Sequence, residues 1–526
     1  MQPLTRVLVI GADAADPDLM EKWGAAGDLP NLMKLRARGA FGRIRNPLAC
    51  DAGAVWPTFH SGLNPGRQPQ FDGMRYFDPQ DYSVKYYPPH VAAPSIWDEL
   101  SREGKRCFVM DAPYARLAQN VNGISIVDWG VHNSAAGDGR MSLATEPASV
   151  ADEILELVGP DPAGGQMCDE YQPETIANCR HFLALHLDRI QKKTAVIKHF
   201  LARGCWDYFE AVYGDLHCVG HHLWHINDKT HPRYSADFEA ALGEPLRACF
   251  KALDQAVGEI LAMVDDRTLT LFYASHGIGP QYTATGLLDR ILYNLEHGIH
   301  AKGSGPTVKG RLRALWHTVP PDLREALMPV RKHFNGALRH SVFLPNPETR
   351  KFFEVYCTNG TGGVRLNVKG REAQGLVEPA DYGPLLDRLS ADLSQVINTE
   401  TGEPLIERIV RLHETFPGPH AERLPDLGLM WNRRQPIRRV SSPLIGTLAQ
   451  EYADGRSGDH THDGLFLAAG QGVRAGGLHH SVGAADFAPT IRSVFGLPPQ
   501  PSDGAPIEVL NAVPSFQSGP AIAAST

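Results

Sequence analysis

The stretch RVLVIGAD, residues 6–13, is the segment that decides the fold. Its apolar and β-branched residues run to a glycine and an acid, which is the pattern of a buried strand that feeds a loop. The same pattern returns at RCFVMDAP (106–113), DYFEAVYG (207–214) and TLTLFYASHG (268–277), each time after a helical pattern. This alternation predicts an α/β fold: a doubly wound, mostly parallel sheet with helices on both faces.

Residues 281–361 interrupt the alternation with a mixed, basic segment, and we expect an inserted helical cap or lid there. The predicted organisation is therefore a first part of the core over 1–280, the cap over 281–361, and a second part of the core over 362–512. The small and polar residues 513–526 predict a flexible tail.

Bulk properties exclude several classes of protein. A net charge of −8 over 526 residues argues against a nucleic-acid polymer as partner. No apolar run reaches the length of about 20 residues that a membrane span needs. The eight cysteines form no CxxC pair, which favours free thiols and a cytoplasmic location. We expect a small anionic substrate, and the sequence leaves a homodimer open.

Histidines and acids follow four of the predicted strands. The stretch DLHCVGHHLWH, residues 215–225, holds four histidines in eleven residues, and the other three strand ends carry Asp13, Ser275 with His276, and His460 with His462. A single histidine at such a position is more often structural. Because ligands in open α/β sheets bind at the carboxyl ends of the strands, these histidines and acids together predict a metal site.

Several segments carry a resemblance to the alkaline phosphatase superfamily and, within it, to the type I phosphodiesterase/nucleotide pyrophosphatase branch. The resemblance covers nearly the whole chain and implies two adjacent zinc-type ions that screen a phosphoryl group and activate a Thr or Ser nucleophile. The segments are VLVIGADAADPDLM (7–20), VWPTFHSGLNPGR (55–67), RLNVKGREAQGLV (365–377), LPDLGLMW (424–431) and DFAPTIRSVFGLP (486–498).

Transferred to this chain, the branch's ligand positions depart from the usual set. Ala52 stands at the nucleophile position and has no hydroxyl, and Ser275 stands where the branch has an Asp. His217 replaces a second Asp. The resemblance therefore implies a rebuilt site of three histidines, His217, His221 and His460, and leaves the other site with Asp13 and His276 only.

The remaining candidates surround these ligands. We expect Asp13, His276 and Asp51 to take part in catalysis, with Cys50 and Asp51 able to replace the missing nucleophile if the alignment shifts. Other side chains are predicted to contact substrate, to complete the depleted site or to orient a ligand: Ser275, Thr58, Asp215, His462 and Cys50. His222 and His225 are predicted to lie on a solvated helix start.

Three functions fit this pattern. The first is a metallohydrolase of phosphate esters or related anions, in which metal-bound hydroxide attacks directly with Asp13 or His276 as base. The second is a repurposed mononuclear metalloenzyme, a lyase or an oxygen-dependent enzyme. The third is a non-catalytic metal-binding homologue. The expected cofactor is zinc or iron, one ion per chain, with two ions as the alternative.

Overall fold

The computed structural model describes residues 6–50, 52–68, 70–71, 75–86, 93–130, 143–164, 172–299, 347–355, 360–450 and 456–510.

Strands alternate with helices through the first half of the chain, and short strands prevail in the second half. The strands are β1 (Arg6–Ala12), β2 (Ala40–Arg45), β3 (Arg75–Asp78), β4 (Ser83–Tyr86), β5 (Cys107–Met110), β6 (Gly123–Val127), β7 (Ala144–Glu146), β8 (Tyr208–Tyr213), β9 (Thr268–Ala274), β10 (Gly277–Pro280), β11 (Phe352–Val355), β12 (Thr361–Leu366), β13 (Ile397–Asn398), β14 (Ile406–Arg411), β15 (Leu427–Trp431), β16 (Arg439–Ser442), β17 (Gly446–Ala449), β18 (Gly458–Thr461), β19 (Asp463–Ala469), β20 (Gly476–Gly477) and β21 (Val482–Gly483). The α-helices are α1 (Pro17–Ala25), α2 (Pro30–Arg38), α3 (Ala52–Ser61), α4 (Ile96–Arg102), α5 (Ser149–Val158), α6 (Ile176–Leu201), α7 (Asp215–Leu223), α8 (Ala236–Leu242), α9 (Pro245–Leu261), α10 (Thr285–His297), α11 (Tyr382–Ser394), α12 (Leu412–Thr415) and α13 (Phe487–Val494).

Within the described ranges, the central sheet has ten strands in the order β20-β2-β19-β9-β1-β8-β5-β6-β7, with β21 beside β2. β1 lies between β8 and β9 and is parallel to both, so the carboxyl ends of these three strands meet at one edge. β19 runs antiparallel to β9 and β2, and β7 runs antiparallel to β6. The prediction of a doubly wound, mostly parallel sheet is confirmed.

Both faces of this sheet are covered, which explains why β1 reads as an unbroken apolar run. Leu8 and Ile10 belong to a core cluster with residues of α1, α2, α6 and α9. Val7 and Val9 point to the other face and belong to a second cluster with residues of α3, α4 and α13. The strand therefore buries alternate residues in two separate layers of helices.

A third apolar cluster joins residues between 284 and 448. It packs α10 and α11 against a four-stranded sheet of order β11-β12-β15-β14 and a three-stranded sheet of order β13-β16-β17. Residues 300–346 of the predicted cap, and the predicted tail 513–526, lie outside the described residues. The domain boundaries 281–361 and 362–512 stay a prediction, although the third cluster extends well beyond residue 361.

Among the described helices, none combines the length and the apolar character that a bilayer-spanning helix requires.

Candidate metal centre

The first two histidines of the centre lie on α7, which begins directly after the carboxyl end of β8. His217 and His221 are four residues apart and therefore share one face of this helix. The third, His460, lies on β18, which pairs antiparallel with β10 and places His460 opposite Ile278. β10 itself follows the Ser275–His276 segment at the end of β9. The chain thus brings three of its predicted histidines to one edge of the sheet.

The three imidazoles converge on one point. His221 Nε2 lies 3.2 Å from His217 Nε2 and 3.0 Å from His460 Nε2. One ligand atom from each of the three residues lies within 4.8 Å of the others. A tetrahedral ion with nitrogen ligands at about 2.0–2.1 Å separates its ligand atoms by roughly 3.3 Å. The spacing of these nitrogens therefore fits a divalent ion bound between them.

The tautomer of His221 is fixed for metal binding. Its Nδ1 lies 2.7 Å from the carbonyl oxygen of Gly458, which can only accept a hydrogen bond. Nδ1 therefore donates, and the lone pair of Nε2 faces the other two imidazoles.

Two glycines allow the helix to come this close to the strand. A Cβ on Gly220 would lie 2.6 Å from Ile278 of β10. A Cβ on Gly458 would lie 2.3 Å from the carbonyl oxygen of Gly220. Any larger side chain at either position would push α7 away from β18 and separate His221 from His460.

Burial keeps two of these imidazoles, those of His221 and His460, in the form that binds metal. Burial lowers the pKa of His221 well below its usual value, and the charges of Arg456 and of His217 lower it further. Burial likewise lowers the pKa of His460, with additional effects of His276 and His217. Neutral imidazole is the metal-binding state, so a proton competes weakly with an ion at neutral pH.

Asp13 lies at the end of β1, and three groups converge on its Oδ1 atom. The indole Nε1 of Trp56 donates to it over 2.9 Å, and the hydroxyl of Ser275 donates over 3.0 Å. His276 Nε2 lies 3.2 Å away. Burial raises the pKa of Asp13, but the hydrogen bond with His276 and the charges of His217 and His276 outweigh it and hold the pKa well below the usual range. Asp13 is therefore a buried carboxylate.

His276 connects this carboxylate to the three histidines. Its ring centroid lies 4.3 Å from that of His460. Its Nδ1 lies 3.0 Å from the carbonyl oxygen of Gly277, so Nδ1 donates and Nε2 points to Asp13. Two acceptors would repel each other at 3.2 Å, so the arrangement requires a proton or another cation between His276 Nε2 and Asp13 Oδ1.

A small cleft opens beside these residues. Two of the residues that line it, Cys50 and Val55, flank the first turn of α3, where free backbone N–H groups favour an anion. The cleft is lined by Asn46, Cys50, Val55, His276, Gly360, Thr361, His460, Thr461 and His462.

Other predicted residues lie elsewhere. Asp215 faces α6, where its Oδ1 accepts from Arg189 Nε over 2.7 Å and lies 3.0 Å from His186 Nδ1. It therefore fastens α7 to α6 instead of facing the cleft. Thr58 is buried and is not among the residues that line the cleft. Asp51 lies outside the described residues, and Ala52 is the first residue of α3.

The prediction that His222 and His225 are solvated is wrong. Both side chains are buried: α6 and α9 pack on α7, which carries His222, whereas His225 lies in the turn after α7 and packs against Phe238 of α8. The ring of His222 packs edge-on against Phe182 of α6, and His225 Nδ1 lies 3.1 Å from the hydroxyl of Ser457.

Three residues that contact this site are not among those predicted from the sequence. Asn46 follows β2 and could have been found by the same signal as Asp13, a polar residue at the carboxyl end of a strand. Thr361 opens β12 and lines the cleft from the second sheet. Arg433 donates to the carbonyl oxygens of Pro280, Asp459 and His460, and no local pattern marks it.

Comparison with known proteins adds three findings. No curated protein matches the chain. Similar solved structures include an inactive form of murine ectonucleotide pyrophosphatase/phosphodiesterase 5 in complex with AMP, at 13% identity and a TM-score of 0.49 over 95% of this chain and 97% of that chain. A second structure of the same murine protein matches at 12% identity and a TM-score of 0.48, again over 95% and 97%. The family model of type I phosphodiesterase/nucleotide pyrophosphatase matches residues 7–443, and the chain belongs to this family.

Proposed function

We propose that the chain is a metal-dependent hydrolase of phosphate esters in which His217, His221 and His460 hold one divalent ion. The observation that carries the proposal is the convergence of three Nε2 atoms, with His221 3.0 Å and 3.2 Å from its two neighbours. Membership in a phosphodiesterase family supplies the class of substrate. Zinc and iron both suit an all-imidazole donor set.

The absence of a hydroxyl at position 52 determines the proposed nucleophile. A divalent ion at the three histidines would supply Lewis-acid chemistry, acidifying water and offsetting charge on the phosphoryl oxygens. Since Ala52 cannot form a covalent phosphoryl intermediate, water attacks phosphorus directly in this proposal. Backbone N–H groups in the first turn of α3 favour the anion at the cleft.

Asp13 and His276 are assigned to proton transfer. His276 Nε2 and Asp13 Oδ1, 3.2 Å apart, can hold a proton between them beside the cleft that His276 lines. We propose that this pair gives its proton to the leaving alcohol. Trp56 and Ser275 both donate to Asp13, and these bonds hold the carboxylate in place.

One ion per chain is part of the proposal. Asp13 Oδ1 already accepts two hydrogen bonds and faces His276, and Ser275 supplies a neutral hydroxyl where the family implies a carboxylate. Among the described side chains, only one carboxylate and one imidazole could coordinate a second cation there, and two protein ligands rarely hold an ion.

Stereochemistry at phosphorus tests this proposal. A chiral phosphorothioate diester, hydrolysed in ¹⁸O-labelled water, should give inversion, because a single displacement inverts phosphorus. Retention would mean two displacements through an enzyme nucleophile and would overturn direct attack. No turnover of any phosphodiester would overturn the hydrolase and favour the non-catalytic metal-binding protein.

The all-imidazole donor set also supports a second candidate, a mononuclear iron enzyme that no longer hydrolyses phosphodiesters. Oxygen uptake that depends on ferrous iron, without release of alcohol from a diester, would favour this candidate. A zinc-loaded protein that hydrolyses diesters without oxygen uptake would exclude it.

A further inference from the structure

Two buried polar side-chain atoms, each on a residue that lines the cleft, have no hydrogen-bond partner within the part of the chain that the structure describes. They are Oδ1 of Asn46 and Oγ1 of Thr361, and both side chains are at least nine-tenths buried, at 5% and 3% exposure. A buried polar atom without a partner is unfavourable, and native proteins rarely leave such atoms unless a water, ion or ligand completes them. Two of them on residues that line one cleft point to a hydrogen-bonding group bound there.

The orientation of the Asn46 amide is fixed. Its Nδ2 donates to the carbonyl oxygen of Ser275 over 2.7 Å and to that of His462 over 2.6 Å. Both hydrogens of the amide nitrogen are therefore used. A flipped amide would place oxygen against two carbonyl oxygens, so Oδ1 is the atom left for a ligand. It can only accept a hydrogen bond.

Thr361 meets the same cleft from the second sheet. It is the first residue of β12, where its backbone is opposite Met430 of β15. Its hydroxyl can both donate and accept. The cleft therefore carries one neutral acceptor on the side of the central sheet and one hydroxyl on the side of the smaller sheet.

Arginines near the cleft can attract an anion, but an anion does not supply the hydrogen-bond donor that Asn46 Oδ1 lacks. Arg433 and Arg456 lie close enough to help lower the pKa of His460, and Arg433 also helps to lower the pKa of His462. An anion is attracted to such a field, yet the oxygens of an ionised phosphate only accept hydrogen bonds. The partner of Asn46 Oδ1 must be a donor on a different part of the same ligand.

We propose that Asn46 and Thr361 bind the alcohol part of a phosphate ester, and that this alcohol carries a free hydroxyl that donates to Asn46 Oδ1 and contacts Thr361 Oγ1. The inference rests on the proposed function for the phosphate group. It makes Asn46 and Thr361 specificity-determining residues, which select hydroxylated alcohols over purely apolar ones.

Calorimetric binding of two ligands to the metal-loaded protein tests the proposal. Glycerol 1-phosphate and propyl phosphate share a carbon chain and differ in hydroxyl groups. We expect glycerol 1-phosphate to bind at least about tenfold more tightly, as a hydrogen bond to a buried, otherwise unpaired group predicts. Asn46→Ala and Thr361→Val should reduce this preference, while the affinity for propyl phosphate changes less. A general structural disturbance would instead weaken the binding of both ligands to the same extent.

Stability provides the second measurement. Thr361→Val replaces an unpartnered buried hydroxyl with a methyl group of similar volume, so its melting temperature should be unchanged or higher although binding is weaker. Ser442→Ala is the matched control, because the Ser442 hydroxyl is also buried without a partner but lies on β16, away from the cleft lining. It should leave the ligand preference unchanged.

Each outcome has a distinct meaning. Equal affinity for the two ligands in the wild type, or an unchanged preference in both variants, overturns the inference and leaves the proposed function standing. Loss of a metal ion in Asn46→Ala, measured by elemental analysis, would make Oδ1 a metal ligand and also overturn it. Failure of both phosphates to bind overturns the proposed function and this inference with it.

Discussion

The Nε2 atoms of His221 and His460 lie 3.0 Å apart, although 239 positions separate the two residues in the chain. The contact joins α7, which follows a central strand, to β18, which forms a small sheet with β10. Substitutions that change the distance between α7 and β18 should therefore change the affinity for the metal ion.

Gly220 controls that distance most directly. Gly220→Ala would place a Cβ 2.6 Å from Ile278 and push α7 away from β10 and β18. We expect a loss of stability of about 1–3 kcal/mol, typical of overpacking, and weaker metal binding measured by competition with a chromophoric chelator. Gly383→Ala is the control, because no atom lies within 4 Å of a Cβ there and Gly383 is in a helix. Equal metal affinity in both variants would contradict the role of Gly220.

Arg433 should hold β18 in place. Its guanidinium donates to the carbonyl oxygens of Pro280 and Asp459, each over 3.0 Å, and to that of His460. Arg433→Met should cost about 2–4 kcal/mol of unfolding free energy in urea and weaken metal binding, because the charged hydrogen bonds to three carbonyl oxygens are lost. Arg434→Met changes an exposed neighbour and should stay within about 0.5 kcal/mol of wild type.

Ser275→Asp should rebuild the depleted second site. In the metal-free protein the new carboxylate would lie beside buried Asp13, and we expect a loss of about 3–5 kcal/mol from an unpaired buried charge. Zinc should recover this loss and raise the metal content by one ion per chain. Ser275→Ala removes only the hydrogen bond to Asp13 and should show no zinc-dependent recovery. An unchanged metal content in Ser275→Asp would argue against this site.

The metal-free protein should lose stability in acid because His225 binds a proton in the unfolded chain but not in the folded one. Burial, followed by the charge of Arg233, lowers the pKa of His225 from 6.5 to about 3. Below pH 6.5 the unfolded chain therefore binds a proton at His225 that the folded protein does not bind. The contribution of His225 to stability is fully present above pH 6.5 and is lost as the pH falls towards 3. His225→Phe should reduce this dependence by up to about 1.4 kcal/mol per pH unit in urea unfolding with chelator. The exposed His480→Gln should not change it.

The sequence was sufficient for the sheet and for the three histidines. Apolar runs such as β1 are buried on both faces and show little ambiguity, and His217 and His221 follow from helical spacing after a strand. It was insufficient for the surroundings of this segment. An eleven-residue stretch with four histidines looks polar, yet His222 is buried under α6 and α9, and His225 is buried against α8. That covering depends on tertiary packing between segments far apart in the chain.

The direction of Asp215 shows the same limit. The sequence predicted that Asp215 supports the site from behind the ligands without indicating its partner, and the first turn of α7 directs its carboxylate to Arg189 of α6. The roles inferred for Asn46 and Thr361 could not be identified from the sequence either, because what distinguishes them is that a side-chain oxygen of each has no hydrogen-bond partner among the described residues. Only the packed structure shows which polar atoms remain unpaired.

The central claim is a single ion held by three histidines, and elemental mass spectrometry of protein purified without chelator or added metal tests it most directly. We expect one zinc or iron per chain in the wild type, loss of that ion in His217→Ala with the fold retained, and full retention in the exposed control His480→Ala. Two ions per chain in the wild type, or an unchanged metal content in His217→Ala, would contradict it.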